Sequence, residues 1–244
     1  MSPALSVVVP VKDEAENAAP LAREIAQALR AAPPHEIIFV DDGSSDGTAG
    51  KLTALRGEIP QLRVLRHARN LGQSRAIRTG VMAARGDIIA TLDGDGQNDP
   101  ADLPKLLAAL SANGGLTNET LAMVSGVRVK RKDTASRRLA SRLGNGFRNW
   151  LLKDGAADTG CSIKVFKRDA YLALPYFDHQ HRFLIALMRR EGHDVEFVPV
   201  GHRARMAGRS KYTNFGRMLV SITDLLGMRW LIRRHRGPAG TEEL

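Results

Sequence analysis

Short apolar runs alternate with stretches of helical periodicity through the first half of the chain. Leu5–Val11 is almost continuously apolar, the pattern of a strand buried on both faces. Glu36–Val40, Arg63–Leu65, Asp87–Leu92 and Ala122–Val127 repeat that signal over shorter lengths. Between them, Asn17–Arg30, Thr48–Leu55, Gln73–Ala84 and Asp102–Leu110 place apolar residues at helical spacing. Strands alternating with helices predict a parallel α/β sheet covered on both sides. The second half is less regular. It predicts a long basic helix over Ala135–Leu152, short strands at Ile163–Phe166 and Glu196–Val200, and a helix over His181–Arg190. A final helix, Asn214–Arg233, carries its apolar content toward one side. The parsing is one α/β domain over residues 1–212, an amphipathic helix over 213–236 and a frayed tail over 237–244.

The 244 residues are 43% hydrophobic and 25% charged, an ordinary globular composition with enough chain for a core that needs no staples. The lone Cys161 excludes an internal disulfide framework and a cysteine zinc cluster, and reads as a small buried residue. The seven histidines show no metal-ligand spacing, and no serine-hydrolase elbow is present. No run of about 18–20 apolar residues exists, so a transmembrane helix is not expected. Lysine and arginine exceed aspartate and glutamate by 36 to 26, a net +10 that implies an anionic partner.

The chemistry gathers after three predicted strands. Pro10–Glu14 follows the first, Asp41–Thr48 the second, and Asp93-Gly94-Asp95-Gly96-Gln97 the strand Asp87–Leu92. A parallel sheet brings all three to its carboxyl edge, where ligands of such folds bind. Asp93 and Asp95 can both address a divalent ion, with the Gln97 amide as a neutral oxygen ligand. Hard oxygens suit magnesium or manganese, which typically hold substrate phosphates. A plain Asp/Gly turn is the competing reading. An EF-hand is excluded, because Pro104 stands where the bidentate glutamate belongs. In the second cluster Ser45 or Asp46 caps the following helix, leaving one of Asp41 and Asp42 for the ligand. No Gly-x-Gly-x-x-Gly follows the first strand and no Walker lysine loop occurs, which argues against a dinucleotide or P-loop site.

The basic residues fall in two groups. Arg128, Lys130, Arg131, Lys132, Arg137, Arg138, Arg142 and Arg148 face only Asp133, and Arg203, Arg205, Arg209 and Lys211 form the second group. Each is either a solvated face or a phosphate grip. The last helix, flanked by Arg217, Arg229, Arg233 and Arg234, fits an anionic bilayer surface or the protein core.

Seven elements occur in order: VVPVKDE at 8–14, DDGSSDGT at 41–48, RNLGQ at 69–73, DGDGQ at 93–97, GVR at 126–128, DTGCSIKVF at 158–166 and GRSKY at 208–212. With these the chain resembles the family 2 glycosyltransferases of the GT-A fold, in particular the polyprenyl-phosphate branch that includes dolichol-phosphate mannosyltransferase. The resemblance spans roughly Leu5–Arg233. It implies a Rossmann-like, mostly parallel sheet flanked by helices. It implies an inverting transfer of a hexose, of the mannose or glucose type, from a nucleotide diphosphate sugar to a polyprenyl phosphate. Pro10, Glu14, Val40 and Asp42 match nucleoside-pocket positions. Asp93, Gly94, Asp95 and Gln97 match the motif that holds Mg2+ or Mn2+ and the diphosphate. Arg128 matches an arginine near the phosphates, and Asp95 and Arg128 are the expected catalytic pair. Arg137 and Ser141 match positions that hold the lipid phosphate, with Arg182, beside His181, near a further basic position. Arg205 and Lys211 match a loop that closes over the donor. Lys12 stands where many members carry an aromatic residue, and Asp13 where they carry asparagine. The expected setting is cytoplasmic and peripheral, on the inner face of the membrane, alone or paired with a separate integral membrane protein. A glycan or protein acceptor is the alternative. A nucleic-acid module is the remote one, since aromatic residues are only 5% and few for base stacking.

Overall fold

The computed structural model describes residues 3–129, 146–156, 158–204 and 214–237, with side chains omitted for 214–221. Its centre is a seven-stranded sheet. The strands are β1 (Leu5–Val11), β2 (His35–Asp41), β3 (Leu62–Arg66), β4 (Ile88–Thr91), β5 (Leu121–Arg128), β6 (Lys164–Lys167) and β7 (Asp194–Val200). Their order is β3-β2-β1-β4-β6-β5-β7. β1 pairs in parallel with β2 and β4, β2 with β3, and β5 with β7. β6 alone runs antiparallel, between β4 and β5. The sheet is therefore mostly parallel, as the sequence predicts, and all seven strands lie where apolar runs were read.

All seven residues of β1 are buried, which explains a run with no polar alternation. Val7 and Val9 face one layer, formed with α1 (Ala18–Ala28), α2 (Thr48–Ala54) and α4 (Leu103–Ala112) through Leu21, Ile25, Leu52, Leu103 and Leu106. Val8 faces the other, with α3 (Gln73–Ala83), where Ile77 and Val81 pack. That second layer continues with helical residues 146–152, here α5, and with α6 (Arg168–Ala173) and α7 (Leu184–Arg190). It ends with α8 (Asn214–Arg233), whose Met228 is buried in the same core. Burial of whole side chains at about 25 cal/mol per Å² makes these two layers the main source of stability.

The structure refines several boundaries. α7 begins at Leu184, and Gln180–Arg182 is a separate 3-10 turn. α6 has no counterpart in the sequence reading, because six residues are too few to show a period. Of the long basic helix expected over Ala135–Leu152, only 146–152 falls among the described residues, and it is helical. α8 departs from one expectation. Its apolar residues are not gathered on one side: Leu225, Met228, Leu231 and Ile232 pack inward, while Ile222, Leu226 and Trp230 are exposed.

Candidate active site

The ends of β1, β2, β3, β4, β5 and β7 and the start of β6 share one edge of the sheet, and the polar clusters meet there. The first two loops are laced together. The Asp13 amide donates to Ser44 Oγ at 2.8 Å, and Asp13 Oδ1 accepts from the Ser45 amide at 2.8 Å. The Glu14 amide donates to Thr48 Oγ1 at 3.0 Å, and Lys12 Nζ reaches the Gly43 carbonyl at 2.6 Å. Asp13 sits at φ +49°, a left-handed conformation that Asp and Asn tolerate better than most residues. Pro10, one residue before the end of β1, turns its carbonyl toward Gly94 of the third loop. The N-cap position of α2 is Gly47, so neither Ser45 nor Asp46 is the capping residue; Asp46 accepts from the Thr48 amide at 3.1 Å from one residue further out.

The aspartate pair closing β2 divides its work. Asp41 turns back on its own loop, accepting from the Ser44 amide at 2.9 Å with Arg66 alongside at 3.3 Å. Asp42 accepts from the amides of Leu71 and Gly72 and from His67 Nδ1, each at 2.8 Å. It thereby fixes the 67–72 segment as one wall of the cleft. The Val40 side chain is wholly buried under α3, so it supports this wall from the core.

The third loop carries the acidic motif. A Cβ on Gly94 would lie 2.4 Å from Val11 Cγ1 and 2.9 Å from the Pro10 carbonyl, so only glycine lets the loop press against the end of β1. Asp93 accepts from Gln73 Nε2 at 2.7 Å and from the Ser162 hydroxyl. Asp95 is 9% exposed and accepts from the Gln97 amide at 3.1 Å. Removal from water pushes the Asp93 carboxyl up, and neighbouring Asp95 adds to it, against the donors Ser162 and Gln73 and the charge of Lys164. Two carboxylates crowded in this way suit a divalent cation. Among the described residues no group of three acidic, histidine or cysteine side chains converges on one point. The donor set therefore fits a hard ion whose remaining ligands come from substrate phosphates and water.

Facing the acids is a buried cationic group. Arg128 grips Asp158 bidentately, Nε and one terminal nitrogen each at 2.7 Å, and that bonding pushes its pKa up. Lys164, 5% exposed at the start of β6, donates to the Cys161 carbonyl. Burial pulls its pKa down, while Cys161, Asp93 and Asp158 favour the charged form. Cys161 is fully buried and its thiol is pushed up by burial, as befits a packing residue. His181 Nδ1 lies 2.7 Å from Ser74 Oγ, and burial, with Lys164 and Arg182 nearby, lowers its pKa to about 3. Arg182 stands 3.7 Å from Asp224 of α8. On the far side the Arg203 amide donates to the Gln97 carbonyl at 2.9 Å, and its guanidinium spans Glu24 and Asp99 at 2.7 and 2.6 Å.

Pro10, Glu14, Asp42, Asp93, Gly94, Asp95, Gln97 and Arg128 thus come to one edge. Arg137, Ser141, Arg205 and Lys211 lie outside the described residues. Gln73, Asp158, Ser162 and Lys164 join the site without having been singled out. All four lie inside motifs already visible, RNLGQ and DTGCSIKVF, but only the fold shows that they face Asp93 or Arg128.

The profile of glycosyl transferase family 2 matches residues 6–174, from β1 through α6. The chain belongs to this family. Dodecaprenyl-phosphate galacturonate synthase of Rhizobium johnstonii is 33% identical over 239 residues, covering 96% of this chain and 69% of that protein. Undecaprenyl-phosphate 4-deoxy-4-formamido-L-arabinose transferase of Enterobacter sp. is 34% identical over 225 residues, covering 91% and 66%. The same-named Yersinia enterocolitica protein is 32% identical, with 62% of its length covered, so the chain spans roughly two thirds of these relatives. Among solved structures, glucosyl-3-phosphoglycerate synthase of Mycobacterium tuberculosis with Mn2+, UDP-glucose and phosphoglyceric acid superposes with a TM-score of 0.69 at 19% identity, over 94% of this chain and 79% of that one. Mannosyl-3-phosphoglycerate synthase of Rubrobacter xylanophilus gives 0.68 at 16%, over 94% and 73%. These structures establish the GT-A-like fold, and the family match makes the protein a glycosyltransferase.

Proposed function

We propose that this glycosyltransferase moves a sugar from a nucleoside diphosphate sugar to a polyprenyl phosphate at an anionic membrane surface, inverting the anomeric carbon. The observation that carries the donor half is the Asp93/Asp95 pair set opposite Arg128 and Lys164 on one sheet edge. The acceptor half rests on the polyprenyl-phosphate relatives, each at least 32% identical.

Asp93 and Asp95, with the Gln97 amide, would hold Mg2+ or Mn2+, which when bound neutralises charge on the diphosphate. The loops of Pro10, Glu14 and Asp42 would enclose the nucleoside, with Val40 beneath them. Arg128, held flat by Asp158, supplies fixed positive charge toward the departing diphosphate. A lipid phosphate is anionic near neutral pH, so its oxygen attacks the anomeric carbon without a strong general base. The new bond is sugar carbon to phosphate oxygen. The bond that breaks joins the sugar to the diphosphate, which leaves with the electron pair. Arg182, with Arg137 and Ser141, would orient the attacking phosphate, and Arg205 and Lys211 would close on the donor. What the protein supplies is mainly positioning and electrostatics.

No described helix is long and apolar enough to cross a membrane. In this proposal the lipid acceptor is met by surface seating through α8, alone or beside an integral membrane protein, on the cytoplasmic face. The test is transfer by purified protein from a panel of nucleotide sugars covering mannose, glucose, hexuronic acid and aminopentose types. Short-chain polyprenyl phosphate, a glycan and a peptide would be offered as acceptors. Metal-dependent product on the lipid alone supports the proposal. Product on the glycan or peptide alone would overturn its acceptor half.

A further inference from the structure

The chain has two tryptophans, and both stand in the open on neighbouring helices. Trp150 of α5 is 71% exposed and Trp230 of α8 is 60% exposed. On α5, Phe147 is 54% exposed and its ring centre lies 6.0 Å from that of Trp150. Residues 147 and 150 share one face of that helix. The opposite face turns inward: Leu152 is buried and Arg148 pairs with Asp154. On α8, Ile222, Leu226 and Trp230 recur every fourth residue as a single exposed stripe. The two helices are tied together where Arg229 donates to the Leu151 carbonyl at 2.8 Å. Five of the nine large apolar side chains exposed among the described residues belong to these two short segments.

We infer that α5 and α8 form one continuous bilayer-seated face, in which Phe147 and Trp150 insert among the lipid headgroups together with Leu226 and Trp230. The inference rests on the lipid-acceptor reading above and extends it to a second helix. Charge selects the occupant. From 222 to 237 the cations are Arg229, Arg233, Arg234 and Arg236, and Asp224 is the only acid. Asp224 is turned away from this face, bonded to His179 at 3.0 Å and near Arg182. Arg234 lies over the Trp230 ring, 6.0 Å from its centre. Apolar stripes bearing indoles and rimmed by arginine match the interface of an anionic membrane, where indoles sit at headgroup depth and each arginine adds attraction. α8 also buries its other face on the core through Met228, so the outward stripe is held at a fixed orientation.

The two indoles make the test direct. Trp150→Phe leaves Trp230 as the only reporter, and Trp230→Phe leaves Trp150. Each full-length variant would be titrated with protein-free phosphatidylglycerol/phosphatidylcholine vesicles while emission is followed, with brominated lipid as a depth-sensitive quencher. Both indoles are expected to shift to the blue and to be quenched, with the response lost on pure phosphatidylcholine. A response from Trp230 with Trp150 still at its aqueous emission would overturn the two-helix face. So would a blue shift of either indole that needs only higher protein concentration and no lipid, which would mark an interface between copies. A Phe147→Ser/Trp150→Ser double variant should bind vesicles at least tenfold more weakly. It should keep its turnover on a short-chain acceptor presented without vesicles. Vesicle seating without any sugar transfer would instead sink the acceptor reading and leave the face standing.

Discussion

At the scale of single residues, the acidic loop is where sequence and geometry meet most tightly. Asp95→Asn keeps the shape of its side chain and removes one of two anionic ligands. Turnover is expected to fall about 10²-fold or more, with weaker Mn2+ binding measured by titration calorimetry. Unchanged metal-dependent turnover would remove Asp95 from the site. Gly94→Ala tests the packing beneath the loop. Its methyl group meets Val11 at 2.4 Å, so either β1 or the loop must move. The expected cost is about 1–3 kcal/mol in a denaturant melt, with a loss of activity larger than the loss of stability. The carboxylates and glycines of this loop were legible because their spacing is local. Lys164 and Ser162 were not, since they reach Asp93 only through the pairing of β4 with β6, about seventy residues away in sequence. A buried lysine in an apolar strand gives no periodic signal of its own.

At the scale of elements, loops are held by carboxylates that looked like ligand groups. Asp42 spends its acceptors on Leu71, Gly72 and His67, and His67 reaches Thr79 of α3 at 2.9 Å. Asp42→Ala should therefore free the 67–72 wall. Nucleotide affinity is expected to drop about tenfold or more, since each bond to a charged acceptor is worth about 1.5–3 kcal/mol. Asp42→Asn should recover part of it, and equal affinity in all three proteins would show that the wall does not shape the nucleoside pocket. α8 shows the limit of pattern reading more plainly. The sequence offered the core or a bilayer surface for this helix; the structure seats Met228 in the core and leaves Trp230 exposed on another face. An average over the helix cannot separate two apolar stripes. The strands were legible for the opposite reason: a buried parallel strand is apolar on both faces, and no averaging hides it.

At the scale of the molecule, burial of charge makes stability depend on pH. His181 in the folded chain has its pKa lowered from 6.5 to about 3. Above about pH 6.5 the imidazole is neutral in folded and unfolded chains alike. Below that, the unfolded chain takes up a proton that the folded chain refuses, so stability falls as the pH drops toward 3. The slope is up to about 1.4 kcal/mol per pH unit. Urea midpoints at pH 7 and pH 5 should differ less in His181→Gln than in the parent protein, and an equal difference would remove His181 as a source. The fold as a whole was readable from alternating strands and helices. What the sequence could not display is the tertiary neutralisation at the sheet edge, where Arg128 meets Asp158 across thirty residues.

The central claim is that a metal-dependent acidic pair and a buried cationic group deliver a sugar to a lipid phosphate. It is tested most directly by incubating the purified protein with a nucleotide sugar, polyprenyl phosphate and Mn2+ or Mg2+, then identifying the product by mass. The account predicts a glycosyl phosphoryl lipid of inverted configuration, lost on chelation and in Asp95→Asn. Transfer that persists unchanged under chelation, or that retains the donor's configuration, would contradict it.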